Sequence, residues 1–308
     1  MTTQKSKLVL GTVQLGMKYG LNNTHGQPTK KESFAILDAA LAVGITTFDT
    51  AYAYGTSEDI LGAWIQERSL AGKVHIISKM KPHVLNDYPD GTKAADIVRR
   101  ELVKSLQRLH VESLDGYLFH SPYYIYLHHM VEGLQKARDA GMVKNIGVSI
   151  YDEPEALQAV ELGVDYVQVP YNAFDQRLDA TDFFGIAKKN NVTVFARSPF
   201  LQGLVLMRPN QLPKHLSYIQ PYLEQFIEII GRYHLSPVQA ALLFANEHCR
   251  ADYIVFGVET LSQLKENIAT VKDSASSLGS GWILEIENCF RNINHGAINL
   301  SLWSTIKR

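Results

Sequence analysis

Short apolar runs alternate with longer amphipathic stretches along nearly the whole chain, and this alternation constrains the fold more than any other feature. The runs predict strands near Leu8–Leu10, Thr47–Phe48, Val74–Ile77, Gly116–Phe119, Asn145–Val148, Tyr166–Val169, Thr193–Ala196 and Tyr253–Phe256. Between them the apolar residues recur at helical spacing. Phe34, Ile36, Leu37, Ala40 and Leu41 form one buried face, and Ile97, Leu102, Leu106 and Leu109 form another. Thr29 followed by Glu32 reads as a capping box, and Ser236 before Pro237 as an N-cap with proline at the first helical position. Gly44, Gly141 and Gly163 stand where helices should stop, because glycine accepts the left-handed cap conformation.

Eight strand–helix alternations imply parallel strands joined by helical crossovers. Eight also suffice to close an α/β (β/α)8 TIM barrel, and 308 residues fall in the range of that fold as one domain spanning 1–308. The rival is an open doubly wound sheet. It would want a glycine-rich fingerprint after the first strand, and GTVQLG lacks that spacing. The stretch from Gln202 to Gln220 and the tail after Asn288 break the regular pattern, and insertions of this kind usually cover the active-site face.

Composition excludes several classes of function. With 30 basic against 31 acidic side chains and a net charge of -1, no overall field favours nucleic acid or an anionic membrane surface. No segment approaches the ~20 apolar residues needed to span a bilayer, and the amino terminus lacks the features of a secretory leader. The cysteines, Cys249 and Cys289, have no metal-ligand spacing, so no metal is expected and a reducing, cytoplasmic setting fits. The expected partner is a small molecule, with the protein a monomer or small homo-oligomer.

In a barrel, chemistry sits where strands end. The second strand ends in FDTAYAYG, with Asp49 and Tyr54; the third in IISKMKP, with Lys79; the fourth in YLFHSP, with His120. Taken singly, each has a bland reading: a helix cap, half-buried packing, a solvated lysine, a structural histidine. Jointly they form an acid and an oxyanion site. A phenol, with pKa near ~10, is a sluggish acid at neutral pH, and a neighbouring ammonium is expected to lower that value. Asp49 would hold Lys79 charged and aimed, while His120 would polarise a carbonyl oxygen. These groups include no reductant, so a hydride-carrying cofactor is implied.

FDTA-x-x-YG, a strand-end lysine and FHSP, in that order, resemble the aldo-keto reductase family from about Leu8 to about Val271. That resemblance assigns Asp49, Tyr54, Lys79 and His120 to a catalytic tetrad and implies NAD(P)H bound without a Rossmann fold. It places Gly11 and Thr12 beside the cofactor, and Ser149 and Gln168 on the nicotinamide carboxamide. Ser198, Pro199, Phe200, Gln202 and Gly203 match the pyrophosphate-side loop, and Gly257, Val258, Glu259, Gln263 and Asn267 the adenosine side. Three positions depart from the family pattern. Ile150 follows Ser149 where asparagine is common. Arg197 stands where an aromatic ring usually stacks on the nicotinamide, and it would either stack in its place or pair with an acidic neighbour. Glu259 occupies a place where many relatives carry arginine for the 2′-phosphate. The family default is NADPH; a carboxylate reading the ribose tilts the expectation toward NADH, unless Glu259 points to solvent.

Aromatic walls are expected from Tyr123, Tyr124 and Tyr126, the loop from Gln202 to Gln220 and the tail near Trp303, with Tyr52 either lining the entrance or only packing. Such walls suit sugars and aryl aldehydes alike. Two alternatives remain beside carbonyl reduction: a cofactor-binding regulatory barrel without turnover, and a Schiff-base lyase using Lys79, which the carboxylate of Asp49 argues against.

Overall fold

The computed structural model describes residues 7–85, 89–273, 280–299 and 303. Eight parallel strands close into a barrel in chain order. The first half runs β1 (Leu8–Gly11), α1 (Val13–Gly16), α2 (Lys30–Ala42), β2 (Thr47–Asp49), α3 (Ser57–Glu67), β3 (His75–Met80), α4 (Gly91–Leu109), β4 (Leu114–Phe119) and α5 (His128–Asp139). The second runs β5 (Val143–Ser149), α6 (Glu153–Glu161), β6 (Tyr166–Pro170), α7 (Phe183–Lys189), β7 (Thr193–Arg197), α8 (Gln220–Arg232), α9 (Pro237–Leu243), β8 (Tyr253–Gly257) and α10 (Leu261–Asp273). The helices α11 (Gly281–Phe290) and α12 (His295–Ile298) follow the barrel. Closure is made by β1, which pairs with β2 through Gly11 and Asp49 and with β8 through Gly11 and Gly257.

Local signals in the chain act as expected. Thr29 and Glu32 cap α2 reciprocally, Ser236 and Gln239 do the same for α9, and Gly44, Gly141 and Gly163 all adopt positive φ. The stretch from Gln202 to Gln220 is less irregular than its composition suggests. It winds through 3₁₀ turns at Leu201–Leu206, Pro209–Gln211 and Lys214–Ile219 before α8.

Two hydrophobic clusters follow from the period-two alternation of a strand. The large one joins Leu8, Leu10, Phe48, Ile76, Ile146 and Val148 to the helices outside. A small one, Val9, Ile77, Leu118, Phe195 and Val255 with Tyr166 and Tyr253 against it, fills the barrel interior. Space inside is tight. A Cβ on Gly147 would come within 2.0 Å of the Tyr166 carbonyl, so only glycine fits there.

Two residues further along six of the strands, the same inward-facing row leaves the apolar core for polar side chains or glycine. Val9 leads to Gly11, Ile77 to Lys79, Leu118 to His120, Tyr166 to Gln168, Phe195 to Arg197 and Val255 to Gly257. The strands extend past most of the predicted apolar runs, and of their last residues Gly11, Asp49, Ser149, Arg197 and Gly257 line a cavity.

Candidate active site

Gly11, His120, Arg197 and Gly257 of that row line a cavity of about 700 Å³ at the carboxyl ends of the strands. Every cofactor-side position singled out from the sequence lines it except Gln168, and so do Tyr54 and His120. Lys79 lies beneath the floor, 1% exposed.

Lys79 is the hub. Its Nζ donates to both carboxylate oxygens of Asp49, at 2.8 and 2.7 Å, and to the Thr50 carbonyl at 3.0 Å. It also reaches the Tyr54 hydroxyl at 3.4 Å and lies 5.0 Å from that ring's centroid. The Tyr54 and His120 rings meet edge to face, their centroids 5.5 Å apart. The three strand ends read from the sequence thus converge on one point.

The electrostatics correct one expectation. Lys79 does not bring Tyr54 down toward neutral: burial pushes the phenol up from its ordinary value, and the Asp49 carboxylate adds to the rise. Burial likewise pulls Lys79 below the usual lysine range, against the opposing pull of Asp49. His120 falls to about 3, first through burial and then through the charges of Lys79, Arg197 and His83. At neutral pH the site holds a protonated phenol beside an uncharged imidazole.

Gln168 is placed differently from expectation. It is fully buried, and its amide nitrogen donates to Asp49 Oδ1, so it braces the carboxylate from across the barrel instead of facing the cavity. Of the two readings of Arg197, the structure bears on the acidic neighbour. The side chain makes no ion pair among the described residues, and its fork donates to Ser149 Oγ at 3.2 Å, Ser198 Oγ at 3.4 Å and the Ile150 carbonyl at 2.9 Å. Its guanidinium lies over the Tyr151 ring, 5.1 Å from the centroid.

Around the adenosine side, Glu259 is turned in, with a side chain 13% exposed and 3.7 Å from His25 Nδ1. Burial raises its carboxyl above the usual range, opposed by a hydrogen bond with Gln263 and by His25. Gln263 is occupied by the backbone: its amide oxygen accepts from the amides of Glu259 at 2.7 Å and Thr260 at 3.3 Å, capping α10. Ser198, Leu201, Gln202 and Gly203 all adopt positive φ, an uncommon concentration of left-handed backbone beside a cavity.

The expected aromatic wall is elsewhere. Tyr123 and Tyr126 are exposed at 59% and 47%, and Tyr124 is buried with its hydroxyl accepting from the Val84 amide. Trp303 is buried and donates to the Gly296 carbonyl; the rest of the tail beyond 299 lies outside the described residues. Tyr52 sits under the Arg108 guanidinium. Besides Tyr54 and His120, the rings that line the cavity include Tyr19, Tyr151 and Phe200. Tyr19, whose hydroxyl is pushed up to about 12 by burial, comes from the loop between α1 and α2, together with Asn22 and Asn23. No periodicity marks that loop; its glycines are the only sequence signal. It reaches the cavity because Leu21 donates to the Gln202 carbonyl at 2.8 Å.

Buried polar atoms without a partner among the described residues include His120 Nδ1, Gln14 Oε1 and Gln168 Oε1. Those of His120 and Gln14 belong to residues on the cavity wall, where a polar ligand satisfies such groups. No helix among the described residues is long and apolar enough to cross a membrane.

Comparison with known proteins gives the family. Residues 7–277 match the profile described as Aldo/keto reductase family. The chain is 25% identical over 307 residues to Aldo-keto reductase YhdN of Bacillus subtilis, covering 92% of this chain and 88% of that one. It is 23% identical over 311 residues to the NADH-specific methylglyoxal reductase of Escherichia coli, covering 91% and 94%. Among solved structures, the Pseudomonas aeruginosa chain PA4992, described as an aldo-keto reductase, superposes with a TM-score of 0.64 at 21% identity, covering 87% of this chain and 90% of that one. With its closed barrel and its match over nearly the full length, this chain belongs to the Aldo/keto reductase family of oxidoreductases.

Proposed function

We propose that the protein reduces an aldehyde or ketone to the alcohol with a nicotinamide cofactor, and that Tyr54 donates the proton. The observation that carries this reading is the Tyr54 hydroxyl beside Lys79 Nζ, with the His120 ring edge to face, at the floor of the cavity.

The residues present fit such a cofactor. The cavity offers polar groups without partners, a floor kept open by Gly11 and Gly257, and a guanidinium with no counter-ion among the described residues. Ser149 and Arg197 would hold the ring end, the loop from Ser198 to Gly203 the pyrophosphate, and Glu259 and Asn267 the adenosine end. When bound, the nicotinamide supplies the hydride.

A carbonyl oxygen placed between Tyr54 and His120 would accept from the phenol and from an imidazole N–H. As the carbon gains hydride, the oxygen gains negative charge and takes the Tyr54 proton. The raised phenol pKa keeps that proton in place at rest, and the Lys79 ammonium stabilises the phenolate left behind. Solvent then returns the proton to Tyr54. Asp49, braced by Gln168, holds Lys79 charged despite its burial.

Glu259 favours NADH over NADPH in this reading. An inward carboxylate accepts hydrogen bonds from a ribose diol and repels a 2′-phosphate. The Escherichia coli relative carries NADH specificity in its name, which supports the same choice. Tyr19 and Tyr151 make the cavity wall suited to a sugar or aryl carbonyl.

The test is a titration of the protein with NADH and NADPH, followed by a panel of carbonyl compounds at saturating cofactor. Oxidation of bound NADH by some member of the panel is expected. Tight cofactor binding with no oxidation by any carbonyl would instead favour a regulatory barrel.

A further inference from the structure

The loop that carries Tyr54, residues 50–56, has no regular structure, yet its phenol must sit within hydrogen-bond reach of Lys79. Part of its support is backbone. The Tyr52 amide donates to the Lys79 carbonyl at 3.2 Å, and the Thr56 amide to the Gly16 carbonyl at 3.1 Å. Gly55, at φ +59, passes so close to Gly16 that a Cβ would come within 2.3 Å of its carbonyl oxygen.

Gln27 Nε2 donates to Thr56 Oγ1 at 3.0 Å, and a further tie comes from a side chain outside the cavity. Arg108, in the last turn of α4, donates through Nη1 to the Tyr52 carbonyl at 3.3 Å and through Nη2 to the Gly55 carbonyl at 2.5 Å. Those carbonyls bracket Tyr54 in the chain. The guanidinium also lies over the Tyr52 ring, 5.0 Å from its centroid.

Two carboxylates from α3 hold the fork in this place. Asp59 accepts from Nη2 at 2.6 Å and from Nε at 3.1 Å, at the solvent side. Glu58, with a wholly buried side chain, lies 3.3 Å from Nη1 and accepts from Ser78 Oγ at 2.6 Å. Ser78 precedes Lys79 in β3. The helices dock without a gap, since a Cβ on Gly62 would come within 2.1 Å of the Arg108 carbonyl. The strand that presents the ammonium and the loop that presents the phenol are therefore tied through one guanidinium.

We propose that Arg108 is a positioning residue for Tyr54, its planar fork holding the carbonyls of Tyr52 and Gly55 so that the phenol stays in register with Lys79 and His120. The proposal rests on the reading of Tyr54 as proton donor. Only a fork meets these carbonyls and carboxylates together; a lysine ammonium keeps the charge and loses the shape.

The test compares Arg108→Lys, Arg108→Ala and Tyr54→Phe with the wild type. For Arg108→Lys, kcat is expected to fall about ten- to hundredfold, the scale set by small misplacements of a reacting group. Cofactor Kd and substrate KM should change less than about twofold. In Arg108→Ala, added guanidinium ion should restore part of the lost kcat and ammonium ion should not. The Tyr54 resonance in a ring-labelled tyrosine spectrum, assigned by its loss in Tyr54→Phe, should shift or broaden in Arg108→Lys; this measurement needs no turnover. Wild-type kcat with an unmoved Tyr54 signal in Arg108→Lys would overturn the proposal, as would losses confined to KM and Kd. If Tyr54→Phe keeps full activity, the proton-donor reading fails and this proposal with it. If Tyr54→Phe is inactive while Arg108→Lys is normal, only the proposal fails.

Discussion

Asp49 grips Lys79 with both carboxylate oxygens, at 2.8 and 2.7 Å, in a part of the barrel where each side chain is at most 5% exposed. Gln168 donates to that carboxylate and the Thr50 carbonyl accepts from that ammonium, so the charges are compensated on several sides. Breaking such a pair strands a buried charge, which typically costs about 3–5 kcal/mol. Asp49→Asn should therefore lower the unfolding free energy by that order as well as the activity. The double variant Asp49→Asn with Lys79→Met should regain much of the stability in denaturant titrations and none of the turnover. A single variant as stable as the wild type would show that the pair is not needed to hold the barrel floor.

Tyr54→Phe removes the hydroxyl and keeps the ring that meets His120 edge to face. General acid catalysis by a positioned group contributes about 10²–10⁴-fold, so kcat should fall within that range. Kd for the cofactor should stay within about twofold, since no part of the proposed cofactor grip is lost. Single-turnover reduction measured at saturating cofactor separates the two effects. Normal hydride transfer in this variant would remove Tyr54 from the acid role.

The pH dependence of stability follows from His120. Its pKa in the folded protein is about 3, against an ordinary value of 6.5, so the unfolded chain takes up a proton that the folded protein resists. The stabilisation is fully present above pH 6.5 and drains away as the pH falls from 6.5 toward 3. Thermal unfolding between pH 7 and pH 4 should show a steeper loss of Tm in the wild type than in His120→Asn. Parallel curves would mean that His120 titrates normally in the folded state.

Glu259→Arg tests the choice between cofactors. The carboxylate is turned in beside His25 and lines the cavity. Exchanging it for a guanidinium should weaken NADH binding and strengthen NADPH binding, moving the ratio of the two Kd values by about tenfold or more, equivalent to about 1.4 kcal/mol. Fluorescence titration with both cofactors reads the ratio without any substrate. An unchanged ratio would mean that position 259 does not face the ribose.

The barrel and the gathering of Asp49, Tyr54, Lys79 and His120 were legible in the chain because both rest on short-range patterns. Apolar runs of strand length separated by capped helices imply parallel strands, eight of which suffice to close a barrel, and the polar residues two places after Ile77 and Leu118 are Lys79, beneath the cavity floor, and His120, on its wall. The period of two explains why: where Val9, Phe195 and Val255 face the core, Gly11, Arg197 and Gly257 must share their face one step on.

What the chain alone left open depends on contacts between residues far apart in sequence. Gln168 and Asp49 are 119 positions apart, and only barrel closure aims that amide at the carboxylate instead of the cavity. The aromatic wall came from Tyr19, in a loop without periodicity that is pinned by Gln202, and from Tyr151 just after β5, while the tyrosines after His120 turned to solvent or packed inward. Desolvation, too, is a property of the folded shape. A sequence places an ammonium beside a phenol, but the depth at which the barrel buries both decides that Tyr54 rises instead of falling.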